Sequence, residues 1–157
     1  MTPAINIAKR AEIVYQLHDY EHSPDSVSYG LEAAEKLGQD PNQVFKTLVI
    51  QWEGGKLAVG IVPVCTTLNL KQMAKALGAK KAAMANRFDV EKSTGYVMGG
   101  VSPLGQKKTL PTVIDESALT FTTIYVSAGK RGLEIELSPK DLTRLTDAIV
   151  APIGKVG

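Results

Sequence analysis

Cysteine, histidine and long apolar runs are scarce in this sequence. One cysteine, Cys65, stands among 157 residues, so no internal disulfide can form and a reducing cytoplasm is the expected compartment. Two histidines, His18 and His22, cannot complete a zinc site of the usual composition with that single thiol, and no metal is expected. No apolar stretch approaches the ~20 residues that a membrane-spanning helix needs, so no membrane partner is expected. The opening segment MTPAINIAKRAEIVYQ lacks the unbroken apolar core of a secretory signal. There is no Walker-type phosphate loop, and GGVSPLG does not match the dinucleotide-binding glycine pattern. Metal-dependent and covalent chemistry are poorly supplied, and no cofactor is expected.

What is present is an ordinary globular composition, 44% hydrophobic and 22% charged, expected to fold as one domain over residues 1–157. The net charge of +2 conceals a division. Residues 1–45 carry three basic and seven acidic side chains, a balance of −4, whereas residues 71–108 carry eight basic and two acidic, a balance of +6. The basic stretch fits a surface that guides a polyanion such as RNA, and equally a set of solvated lysines on helix faces.

Local patterns predict the elements. Thr2-Pro3 is a helix start, IVYQLHDY alternates as a strand, and YGLEAAEKLG is a helix stopped by Gly38. Asp40-Pro41 predicts a further turn of helix. FKTLVIQWEGGKLAVGIVPV is a hairpin through Gly54-Gly55. Asn69 caps LKQMAKALG, with Leu70, Met73, Ala74 and Leu77 facing inward, and Asn86 starts another helix. PTVID, FTTIYVSAG and GLEIELS are strands, and Ser138-Pro139 opens the last helix. No repeat or linker interrupts them. The expected class is α+β: a mixed, mainly antiparallel sheet, curled in the manner of a barrel, with flanking helices.

Two loops and one strand residue are candidates for chemistry. Gly99 and Gly100 leave backbone bare, Pro103 stiffens the rest of the loop, and the exposed amides could hold a phosphate or the oxyanion of an attacked ester. The segment VSAGKRG repeats the theme, with Ser127 as a hydroxyl donor and Lys130 and Arg131 as anion partners. In VFKTLVI the period of two puts Lys46 on the face of Val44, Leu48 and Ile50. An ammonium there either reaches water past a strand end or grips an anion at a pocket mouth. Together these predict a polar pocket free of carboxylates. Cys65 is expected as a buried, inert thiol in the second hairpin strand. His18 and His22 are expected as polar surface positions at a strand end.

The segments VFKTLVI, KSTGYVMGGVSPLGQKK and IYVSAGKRGLEIELSPKDL resemble the YbaK/EbsC family, free-standing relatives of the editing domain of bacterial prolyl-tRNA synthetase. The resemblance runs from about Thr2 through the last helix. It implies a mixed α/β fold around a curled antiparallel sheet and hydrolysis of mischarged aminoacyl-tRNA; the YbaK branch acts on cysteinyl-tRNA bearing the proline anticodon. The family lysine falls on Lys46, and the Gly-x-x-x-Pro loop on Gly99, Gly100, Val101, Ser102 and Pro103. The family's aromatic positions fall on Tyr20 and Tyr29, and its GKRG turn on Gly129, Lys130, Arg131 and Gly132. Ala128 stands where many members have glycine, and Tyr29 where phenylalanine is expected.

In the family's thiol mechanism the substrate brings its own nucleophile. The cysteine sulfur attacks the ester carbonyl and leaves as a cyclic thiolactone. The resemblance thereby implies that Lys46 anchors the terminal nucleotide and that Gly99 to Val101 supply oxyanion contacts. Ser127 would be a nearby polar contact, and Tyr20 and Tyr29 would shape the amino-acid and adenine pockets. The expected partners are the acceptor end of a mischarged tRNA(Pro) and a prolyl-tRNA synthetase, met by a monomer. Two alternatives remain open: a deacylase of Ala-tRNA(Pro) that uses water, and a non-catalytic module that binds aminoacyl-tRNA or a synthetase.

Overall fold

A computed structural model describes residues 1–26 and 28–156. Thr2 accepts the Ile5 N–H on its hydroxyl and Pro3 takes the first helical position, so α1 runs Pro3–Arg10. Strand β1 (Tyr15–Asp19) leads to α2 (Tyr29–Leu37), which ends on Gly38 in the left-handed region. The hairpin comes next as β2 (Phe45–Trp52) and β3 (Lys56–Pro63). Beyond it lie β4 (Thr67–Leu68), the Asn69-capped α3 (Leu70–Leu77), β5 (Ala82–Met84) and the Asn86-capped α4 (Arg87–Thr94). After the glycine loop come β6 (Thr112–Asp115), a 3-10 turn over Glu116–Thr120, β7 (Ile124–Lys130) and β8 (Leu133–Leu137). The chain closes with α5 (Pro139–Thr146), β9 (Ile149–Ala151) and β10 (Gly154–Lys155).

The strands form a five-stranded sheet in the order β5-β2-β3-β6-β9, a three-stranded sheet β1-β8-β7, and the small pair β10-β4. Hairpin neighbours pair antiparallel, while β3-β6 and β6-β9 run parallel, so the expected mixed α+β class holds. The sheets do not close into a barrel among the described residues; one parallel bridge, Val44 to Tyr125, joins β2 to β7. The main core lies between the two large sheets, where Phe45, Val49, Ile61 and Ile114 meet Ile124, Val126, Ile135 and Leu137. On the opposite face of the five-stranded sheet, Met73 of α3 packs on Ile50, Ala58, Val62 and Val113. A third cluster sets Ala33 and Ala34 of α2 on Val44, Val64 and Tyr125.

Three local expectations change. Asp40-Pro41 opens a single hydrogen-bonded turn, Gln43 N–H to the Asp40 carbonyl at 2.8 Å, because the chain must extend at once into the Val44 bridge. Cys65 is neither in a strand nor buried. Strand β3 ends at Pro63, and Cys65 is exposed on the turn after it, its thiol 3.2 Å from Asn42 Oδ1. His18, next to the last residue of β1, is half-buried rather than a free surface position, with Nε2 2.9 Å from Glu136 Oε1 and its ring against Tyr125.

Candidate active site

Strand β2 is paired with β3 along its whole length, Phe45 to Trp52, but among the described residues its other edge is covered only at the ends. At one end Val44 bridges Tyr125; at the other, Ile50 to Trp52 pair with β5, and the Ala85 N–H reaches the Val49 carbonyl at 3.1 Å. Between these points, among the described residues, no strand covers the edge. A cavity of about 290 Å³ fills the gap, lined by five successive residues, Phe45 to Val49. Its other walls come from Tyr20, from Ser28 to Gly30 and Ala33 of the α2 region, and from Met84, Ala85 and Val90. Met98, Gly99, Val101, Ser127 and Glu134 complete it.

Lys46 stands on this gap because its strand face is occupied on both sides: Val44 lies under α2, and Leu48 and Ile50 lie with the α3 cluster. Helix α2 crosses so closely that a Cβ on Gly30 would come within 2.5 Å of Val64 Cγ1 and 3.8 Å of Lys46 Cβ. Burial lowers the Lys46 pKa, with the nearby Cys65 acting in the opposite sense. Among the described residues the ammonium has no hydrogen bond or ion pair, which suits it to an anionic ligand. Thr47, beside it, has a buried hydroxyl without a partner among the described residues.

The glycine loop divides its tasks. Gly99, at φ 92°, packs on the Tyr29 ring, and a Cβ there would come within 3.1 Å of that ring. Gly100 does not line the cavity: its N–H donates to the Val97 carbonyl at 2.9 Å, and a Cβ would meet Lys130 Cα at 2.7 Å. Gly100 is therefore a packing glycine where an oxyanion donor was expected. Among the described residues, the Gly99 and Val101 amides have no protein acceptor, and both residues line the cavity. The loop is anchored by the Glu91 carboxylate, which accepts the Met98 N–H at 2.8 Å, and by the Tyr96 hydroxyl, which donates to the Leu104 carbonyl at 2.6 Å. Ser102 and Pro103 are buried outside the cavity, with the Ser102 hydroxyl accepting the Leu104 N–H.

The GKRG turn mostly supports its surroundings. Arg131 lies 4.0 Å over the Tyr29 ring, donates to the Ser23 and Ser26 carbonyls, and faces Glu32 at 3.9 Å. It orients Tyr29 rather than entering the cavity. Gly129 packs against Tyr96 and Thr2, and Lys130 is exposed. Ser127 does reach the cavity, its hydroxyl accepting the Gly129 N–H at 3.2 Å.

The expectation of a carboxylate-free pocket is overturned by Glu134, which pairs in register with Ser127 and lines the same cavity. Burial pushes its pKa up to about 8, so at neutral pH the folded protein holds it mainly as a neutral acid. Tyr20 stands close by, its pKa raised by burial and then by Glu134. Neither Glu134 nor Thr47 is evident in the sequence. In GLEIELS the alternation puts Leu133, Ile135 and Leu137 inward and makes Glu134 look solvated, and a threonine in a strand gives no signal.

The aminoacyl-tRNA editing domain family is matched over residues 25–145, and the chain belongs to that family. Every cavity residue except Tyr20 falls within the matched span. The resemblance read from the three sequence segments is confirmed, and the chain is an editing enzyme acting on the aminoacyl-tRNA ester. It is 39% identical over 152 residues to EbsC of Enterococcus faecalis, provisionally named a Cys-tRNA(Pro)/Cys-tRNA(Cys) deacylase, with 97% of this chain and 92% of that one covered. The proline–tRNA ligase of Limosilactobacillus fermentum is 29% identical over 135 residues, 83% of this chain and 22% of the ligase. A crystal structure provisionally described as a trans-editing enzyme for prolyl-tRNA synthetase superposes with a TM-score of 0.79 at 25% identity, covering 99% of each chain.

This geometry makes two outcomes measurable. Between the ordinary 4.5 and about 8, the unfolded chain has released the Glu134 proton and the folded chain has kept it. Its contribution therefore makes stability fall as pH rises across that window and level off above it. Urea denaturation at several pH values should show Glu134→Gln gaining on the wild type from low to high pH; a constant difference would contradict the buried neutral acid. Gly100→Ala should lower the melting temperature clearly, because the methyl group meets backbone. An unchanged melting temperature with lost activity would return Gly100 to the donor set.

Proposed function

We propose that this chain clears Cys-tRNA(Pro) in the cytoplasm, with the thiol of the misplaced cysteine attacking its own ester carbonyl. The ester C–O bond breaks, the ribose oxygen leaves as a hydroxyl carrying the thiol's proton, and the cysteine departs as a cyclic thiolactone. The observation that supports this most is the equipment of the cavity: one amine, two amides without acceptors among the described residues, hydroxyls, and a carboxyl held mainly neutral. Among the described residues no histidine lines it, and Cys65 lies outside it. Such a site is well suited to holding and polarising an ester, and poorly suited to supplying a nucleophile. In this reading Lys46 grips the terminal nucleotide by phosphate or ribose. The Gly99 and Val101 amides receive the oxyanion, and Ser127 and Thr47 add polar contacts. Tyr20 and Tyr29 bound the amino-acid and adenine ends. Fixing thiol and carbonyl together is worth ~7–11 kcal/mol in well-arranged intramolecular reactions. Each oriented donor adds roughly 2.7–4 kcal/mol. The names of the EbsC relative and of the trans-editing structure support the cysteine and proline assignments.

Glu134 supports a second reading. With a pKa near 8, a minority of molecules at neutral pH carry it ionised inside the cavity, where it could take a proton from water. That would suit Ala-tRNA(Pro), whose side chain has no nucleophile.

Deacylation of Cys-, Ser- and Ala-tRNA(Pro) at catalytic protein concentration separates the two. The thiol reading predicts rapid loss of cysteine and much slower loss of serine and alanine, since a neutral hydroxyl is a far weaker nucleophile than a partly ionised thiol. Lys46→Ala should abolish activity with the fold intact and Lys46→Arg should lose most of it, whereas Cys65→Ala should remain active. Equal rates on the three esters would favour water and Glu134, and near-normal turnover by Lys46→Ala would remove the role given to that lysine.

A further inference from the structure

Phe88 is the most exposed aromatic side chain among the described residues, at 71%. Helix α4 turns Val90, Ser93 and Thr94 inward, which leaves Phe88 and Lys92, one turn apart, pointing outward. The Lys92 ammonium lies 5.7 Å from the centre of the Phe88 ring. The segments that flank α4 supply apolar and basic side chains together. Met84 just before α4 and Met98 just after it are exposed, and both line the cavity together with Val90 of α4, so the helix that carries Phe88 forms part of the cavity wall. Lys80 and Lys81 precede β5, and Arg87 opens α4. Lys107 and Lys108 are held at the far end of α4, their N–H groups donating to the Thr94 and Ser93 carbonyls at 2.9 and 3.0 Å. Two acids, Asp89 and Glu91, accompany these six cations, and the Glu91 carboxylate is occupied by the Met98 N–H and by Arg87.

We propose that this face receives the unpaired 3′ end of the RNA whose terminal nucleotide enters the cavity, with an upstream base stacked on Phe88 and the backbone phosphates on the surrounding lysines. The proposal rests on the aminoacyl-tRNA reading of the cavity and extends it to the path by which the strand arrives. Single-stranded RNA is held by aromatic platforms set among cations, because every base offers a flat face and every linkage a charge. A protein partner fits less well, since lysine is depleted at protein interfaces.

Binding of a fluorescent, unacylated RNA oligonucleotide ending in CCA tests this. Phe88→Ala should weaken binding about 10-fold, Phe88→Leu nearly as much, and Phe88→Trp should retain it. Lys92→Ala should reduce the dependence of log affinity on log salt by about one ion. With aminoacyl-tRNA as substrate, Phe88→Ala should raise KM and leave kcat unchanged. Because Phe88 touches water rather than core, these variants should melt with the wild type. The proposal is overturned if the wild type does not bind the oligonucleotide, if Phe88→Ala binds as well as wild type, or if Phe88→Leu does. It is equally overturned if Phe88→Ala spares RNA binding but abolishes association with prolyl-tRNA synthetase. The oligonucleotide carries no ester, so Phe88-dependent binding by a protein that cleaves no aminoacyl-tRNA would refute the proposed reaction and leave this surface standing.

Discussion

The interrupted edge of β2 is the constraint on which the molecule depends. A strand that is central along one edge and unpaired along the middle of the other would ordinarily expose backbone groups that seek a partner. Here the two ends of that edge are secured by Tyr125 and by β5, so the gap keeps a fixed width. The surrounding elements fold over it: α2 from one side, the glycine loop from another, and the Ser127–Glu134 pair from the second sheet. The cavity is thus a break in a sheet, bounded by rigid elements, and its polar groups hold their places because strands and caps hold theirs.

Contacts one layer behind the cavity maintain that arrangement. Arg131 fixes the Tyr29 ring on one face while Gly99 meets the same ring, so one aromatic joins α2, the GKRG turn and the glycine loop. The close crossing at Gly30 brings α2 down onto the stretch of β2 that carries Lys46. Glu91 and Tyr96 restrain the loop that presents the free amides. Burial then sets the electrostatics, lowering the pKa of Lys46 and raising that of Glu134. Both shifts favour the neutral form of each group, and for Lys46 a bound anion would oppose the effect of burial and hold the ammonium charged.

Much of this is legible in the sequence. Caps and stops at Thr2, Asn69, Asn86 and Gly38 mark helix ends correctly, and the Gly54-Gly55 hairpin sets the central strand pair. Lys46 is visible because a charge in an apolar strand is expensive, and Gly99 because bare backbone beside apolar sequence is unusual. What escapes depends on contacts distant in sequence. Strands of two or three residues, such as β4, β5 and β10, show no periodicity and exist only through their partners. In sequence Arg131 looks like a ligand for anions; in the fold Glu32 and Tyr29 lie beside it. Gly100 looks equivalent to Gly99, yet its N–H is bonded to Val97. The exposure of Cys65 is hidden because the apolar run GIVPV continues, in pattern, past the point where the strand ends.

At the centre of this reading, the gap in β2 is the place where the aminoacyl ester is held. The most direct test is amide hydrogen exchange of the protein with and without a non-hydrolysable analogue, cysteine joined to adenosine through an amide at the ribose. Binding should slow exchange at Gly99 and Val101, whose amides have no protein acceptor among the described residues, and leave Gly100, already bonded to Val97, unchanged. Protection appearing away from the β2 edge, with Gly99 and Val101 unaffected by a bound analogue, would contradict that placement.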